Sequence, residues 1–92
     1  MKTEKVLAIV PSFNTAKSIV GVVESALKFA DAVLVVDDLC PESSGEIVNQ
    51  HYDKTPEVQV VFHQENLGVG GAMKTGFRWG LDNNFDIFVK ID

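Results

Sequence analysis

The sequence predicts an α/β fold: a Rossmann-like βαβαβαβ chain carrying a parallel sheet, strand order 3-2-1-4. The prediction rests first on four short apolar runs rich in branched residues, at 6–10, 32–36, 58–62 and 85–91. It rests next on apolar spacings of three and four between the runs, the helical period. The connections are also long enough to hold a helix, as parallel neighbours require. Right-handed crossovers then follow, and the ligand crevice of such a sheet opens at the carboxyl ends of its strands.

Val6-Leu-Ala-Ile-Val10 is a run apolar on both faces, and Pro11 is expected to close it. Ile19, Val22, Val23, Ala26, Leu27 and Ala30 mark one helix face, with Asn14, Thr15 or Ser18 as candidate caps. Ala32-Val-Leu-Val-Val36 is a second buried strand, closed by Asp37-Asp38. The loop 39–45 leads into a short helix through Tyr52, capped by Ser43 or Ser44. Pro56 precedes the third strand, Val58 to Phe62. The glycine-rich turn Asn66-Leu-Gly-Val-Gly-Gly71 then opens a helix marked by Met73, Phe77 and Leu81, which Asn83-Asn84 break before the fourth strand.

Ninety-two residues at 46% apolar and 23% charged suit one small globular domain, marginal if its intact sheet needs more strands. A net charge of −5 argues against a nucleic-acid partner. No basic run suits an anionic membrane, and the apolar stretch 6–10 is too short for a signal or membrane span. The expected setting of this segment is cytoplasmic, without membrane contact. Cys40 is the single cysteine, so no internal disulfide forms, as in a reducing compartment.

Polar and acidic groups follow every strand: Pro11-Ser-Phe-Asn14, Asp37-Asp38, His63 to Gly68, and Asp92. Any one of them reads equally as a turn former or helix cap. Together they gather carboxylates at the ligand edge, where like charges repel unless a metal, base or sugar uses them. Asp37-Asp38 suit a base N–H, ribose hydroxyls or the capping of their own loop, and Phe13 suits a base face or loop packing. Asp92 suits a divalent cation beside a diphosphate, with a second carboxylate required nearby.

The glycine-rich segment matches neither common phosphate fingerprint. Counting from Gly68 puts Met73 where a dinucleotide motif needs glycine, and Met73 also precedes Lys74-Thr75 where a phosphate loop needs glycine. Glycines inside the helix cost roughly 0.8–1 kcal/mol each against alanine, so Gly76 and Gly80 predict close approach by backbone or ligand. Lys74 and Arg78 are candidate phosphate contacts or a solvated face, and Trp79 fits core or interface.

Four segments in order resemble the start of a family 2 glycosyltransferase of GT-A type: Ile9-Val-Pro-Ser-Phe-Asn14, Val33-Leu-Val-Val-Asp-Asp38, Asn66-Leu-Gly-Val-Gly-Gly-Ala-Met-Lys-Thr-Gly76 and Phe88-Val-Lys-Ile-Asp92. The resemblance implies that residues 1–92 are the nucleotide-sugar-binding part of an incomplete domain, with the acceptor half absent. Pro11, Phe13 and Asn14 would line the nucleoside pocket, and Asp38 with Asp37 would hold base or ribose. Asn66, Gly71 and Lys74 would close over the nucleotide. Asp92 would be the first carboxylate of an Asp-x-Asp motif binding Mn2+ or Mg2+ against the donor diphosphate. The implied reaction transfers sugar from a nucleotide-diphosphate sugar to an acceptor, polyprenyl phosphate or polysaccharide, in the intact protein. The second metal ligand and the catalytic base would fall past residue 92, leaving this chain inactive alone.

The sequence departs from the family pattern at Thr15, where an acidic residue is common, and at Leu39-Cys40-Pro41, where Gly-Ser is usual. A sugar nucleotidyltransferase would want its glycine-rich loop after the first strand, and a receiver-like scaffold its acidic pair there. Both remain alternatives. The fourth strand is expected at an edge, which favours a homodimer.

Overall fold

The computed structural model describes residues 4–91. Its elements are β1 (Val6–Ser12), α1 (Ile19–Ala26), β2 (Ala32–Asp37), α2 (Ser44–His51), β3 (Val58–Phe62), α3 (Gly68–Asp82) and β4 (Ile87–Lys90). All pairings are parallel and the sheet order is β3-β2-β1-β4, as the alternating pattern predicts.

Burial follows position in the sheet. All six residues of β2 are buried, as are Leu7 to Val10 of β1, which accounts for their apolarity on both faces. β3 and β4 lie at the edges and are half exposed. On one face, Ile19, Val23 and Ala26 of α1 and Val48 of α2 pack on Ala8, Val10, Val33 and Val35. On the other, Ala72 of α3 packs with Leu7, Ile9, Leu34 and Val36, flanked by Met73 and Trp79. Trp79 stacks on Phe85 at 5.9 Å, a packing role.

Proline does not end the first strand. β1 runs through Pro11, paired with Val36, to Ser12, paired with Asp37. Residues alternate their hydrogen bonds between neighbours; Ser12 O accepts from Asp38 N on the β2 side, and Ile9 O from Ile91 N on the β4 side. Pro11 shares the orientation of Ile9, and its register pairing with β4 ends at Ile9, so the missing N–H interrupts no described ladder bond. α1 ends at Ala26, short of the apolar spacing that reaches Ala30; residues 27–29 close it as a turn.

The glycine-rich segment turns only at its start: α3 begins at Gly68, where φ is 77°, and Gly70 and Gly71 lie in its first turn. Its interior glycines let the helix sit directly on the sheet. A Cβ at Gly76 would lie 2.6 Å from Ile9 Cγ2, and one at Gly80 would strike Phe88. The close approach is to the protein's own sheet, not to a ligand.

Candidate functional site

The carboxyl ends of β1 and β2 are stitched together by short polar contacts. Ser12 Oγ bonds the hydroxyls of Thr15 (2.7 Å) and Ser44, and Ala16 N donates to Glu42. Asn14 takes the left-handed conformation at φ 57°, which asparagine tolerates, and its N–H donates to Cys40 Sγ at 3.2 Å. Burial acts to raise the pKa of the Cys40 thiol, but bonds from Ser44 and the backbone amides of Asn14 and Glu42 outweigh it and lower it. The knot leaves Phe13 projecting, 44% exposed.

Asp37 and Asp38 are both buried, and each does different work. Asp37 Oδ1 accepts from Cys40 N at 2.7 Å and Oδ2 from Gly45 N at 2.9 Å. It therefore closes its own loop and caps the start of α2, where Ser43 makes no side-chain cap. Asp38 reaches across to α3: Oδ1 accepts from Leu67 N and Oδ2 from Gly68 N, each at 2.8 Å. These are orphan donors of the helix start, so the carboxylate supplies the cap that the glycine-rich first turn needs. His63 Nδ1 lies 2.7 Å from Asp38 Oδ1, and Asn66 Nδ2 donates to Asp38 O. Burial acts to raise the Asp38 pKa, but the bonds from His63, Leu67 and Gly68 prevail and hold it below the ordinary carboxylate value.

A cleft of about 140 Å3 opens between the β1 loop and the start of α3, lined by Pro11, Phe13, Thr15, Asp38, Val69 and Ala72 among others. Small-molecule pockets usually begin near ~300 Å3, so this cleft fits a base or a ribose rather than a whole nucleotide. The structure thus brings Pro11, Phe13 and Asp38 together, with Asn14 exposed beside them. It does not bring Gly71 and Lys74 there. They line a separate groove with Val61, Arg78, Trp79 and Asp82, because α3 turns Gly68, Val69 and Ala72 to the cleft and the 71/74/75/78 stripe away from it. Asn66 braces Asp38 from behind. The start of α3 is not a free anion site, because Asp38 fills it.

Asp92, the expected metal ligand, lies outside the described residues, and among those described no cluster of three metal-ligating side chains occurs. Asp37 and Asp38 already bind backbone N–H groups, which fits a cation poorly. His63 is a residue its sequence does not mark individually: it heads the polar stretch after β3, and only the pairing of β3 with β2 brings it to the acidic pair.

A parallel sheet with a cleft at the carboxyl ends of its strands is the arrangement in which α/β domains generally bind their ligands. The chain belongs to glycosyl transferase family 2, whose profile matches residues 7–83. It is 36% identical over 91 residues to an undecaprenyl-phosphate mannosyltransferase of Micrococcus luteus, covering 96% of this chain and 37% of the relative. It is 32% identical over 94 residues to a polyprenol monophosphomannose synthase of Mycolicibacterium smegmatis, covering 98% and 35%. A chondroitin synthase of Escherichia coli matches at 36% over 72 residues, 75% of this chain and 10% of its own. The chain thus spans little more than a third of the length of the first two of these relatives.

Proposed function

We propose that the chain is the donor-nucleotide-binding part of a glycosyltransferase that moves a sugar from a nucleotide-diphosphate sugar to an acceptor. The observation that carries this is the cleft of Pro11, Phe13 and Asp38 at the ligand edge of a family 2 sheet. Phe13 offers a face for a base. Asp38 is an anionic acceptor for a base N–H or a ribose hydroxyl, since Oδ1 takes two donors and Oδ2 one. The names of two relatives favour a mannosyl donor and a polyprenyl-phosphate acceptor over a polysaccharide.

The divalent cation, Mn2+ or Mg2+, is proposed to take Asp92 as one of its carboxylates, and no described side chain is assigned to it. Gly71 and Lys74 enter the reading only if nucleotide reaches around α3. No described helix is long and apolar enough to cross a membrane, and a cytoplasmic setting is part of the proposal. So is self-association along β4, an edge strand with Ile87 40% exposed; light scattering showing a monomer would count against it.

Calorimetric titration of the 92-residue chain with guanosine and uridine diphosphates, with and without MnCl2, tests the reading. Saturable binding of one of them, weakened by Phe13→Ala, supports it. Indifference to both refutes it and favours the scaffold alternative. Sugar transfer by the chain alone is expected to be undetectable.

A further inference from the structure

Asp38 is the hub of the candidate site, and among the described residues one side chain, that of His63, holds its carboxylate from outside its own loop. His63 follows β3, its backbone N–H bound to Asp37 O at 2.9 Å, which extends the sheet pairing by one residue. Its ring is nearly buried, with 7% of the side chain exposed. Nδ1 lies 2.7 Å from Asp38 Oδ1, and Nε2 lies 2.8 Å from Thr75 Oγ1 in the second turn of α3. Thr75 Oγ1 also lies 3.1 Å from Gly71 O, and its single hydrogen serves the ring or that carbonyl, not both at once. Asp38 is an ionised acceptor, so the hydrogen between it and the ring belongs to Nδ1.

We propose that His63 is a positioning residue of the nucleotide site: Nδ1 orients the Asp38 carboxylate, and Nε2 ties it through Thr75 to α3. The inference rests on the functional reading above. With Leu67 N and His63 both on Oδ1, that oxygen is saturated, and Oδ2, which takes Gly68 N alone, keeps a lone pair for a ligand donor. His63 thereby selects which oxygen of Asp38 meets the nucleotide. It also joins the end of β3 to α3, so the cleft wall formed by Gly68, Val69 and Ala72 keeps its place against Phe13.

The test compares His63→Ala, His63→Asn and His63→Gln in the 92-residue chain. An Asn amide N–H falls near the Nδ1 position and a Gln amide near Nε2, so only the first restores the bond to Asp38. Guanosine and uridine diphosphates are titrated at a temperature where every variant is folded by circular dichroism. Expected is a loss of affinity of about tenfold for His63→Ala, recovery to within about twofold for His63→Asn, and no recovery for His63→Gln. A role confined to stability would lower the melting temperature and leave the dissociation constants equal, which overturns the proposal. Equal affinities of the Asn and Gln variants overturn it as well.

Amide exchange of Leu67 and Gly68, with the 15N shifts of the His63 ring, gives a reading without nucleotide. The expected pattern is an Nδ1–H ring and exchange at both amides about tenfold faster in His63→Ala than in the unaltered chain, measured relative to core amides. If the unaltered chain binds neither nucleotide, the functional reading falls, and exchange alone decides whether His63 holds Asp38. Unchanged exchange overturns the positioning role whatever the nucleotide result.

Discussion

Replacing Asp38 by Asn keeps the size of the side chain and removes its charge and one acceptor. In the unaltered chain Leu67 N and Gly68 N bind different oxygens at 2.8 Å, and His63 Nδ1 binds Oδ1 at 2.7 Å. An amide offers one oxygen, so its NH2 must face one of those backbone donors. A hydrogen bond to a charged group contributes about 1.5–3 kcal/mol, and a buried donor left unpaired costs about 1–3 kcal/mol. Relaxation of the exposed loop at Asn66 and Leu67 recovers part of this, and a loss of about 3 kcal/mol is expected. At ~4–8 °C per kcal/mol for a domain of this size, the melting temperature should fall by roughly 12–24 °C. Thermal melts followed by circular dichroism measure that fall, and urea titration the free-energy loss.

The pH dependence supplies the second half of the test. The Asp38 pKa is lowered in the folded state, so its contribution is complete above the unfolded value, near ~3.9, and is lost as pH falls through the lower folded one. Between the two chains, the difference in stability should be constant at neutral pH and shrink below about pH 4. A loss under about 1 kcal/mol, or a difference that does not change in acid, would refute the capping role.

Other expectations follow from the same contacts. Gly76→Ala forces a methyl to 2.6 Å from Ile9 Cγ2 and should destabilise by about 1–3 kcal/mol in urea titration. Gly70→Ala, in the same helix with nothing within 4 Å, should instead stabilise by about 0.5–1 kcal/mol. Ser44→Ala removes the buried partner of Ser12 Oγ and should cost about 1 kcal/mol, with Phe13 fluorescence-free probes such as NMR shifts showing movement at residues 13–15. Phe13→Ala, 44% exposed, should leave the melting temperature within a few degrees while weakening nucleotide binding about tenfold. An equal loss of stability would make Phe13 a packing residue.

The apolar runs of β1 and β2 and the helical spacings between the strands are local patterns, and they determined the α/β class, the element order and the parallel sheet. Periodicity has no knowledge of where a polar group finds its partner. That is why Asp37 and Asp38, adjacent in the chain, separate in role only once β2 ends between two helix starts, one carboxylate turning to α2 and the other to α3. The same limit hid what holds the glycine-rich first turn of α3, a cap from thirty residues earlier that offsets its poor propensity. It hid His63, whose partners Asp38 and Thr75 come from other elements. Gly71 and Lys74 likewise read as one segment with Val69 and Ala72, and only the rotation of α3 against the sheet sends them to different grooves. Sequence sets which face of each element is apolar; tertiary packing sets which polar groups meet, because hydrogen bonds act over about 3 Å and depend on every rotation between.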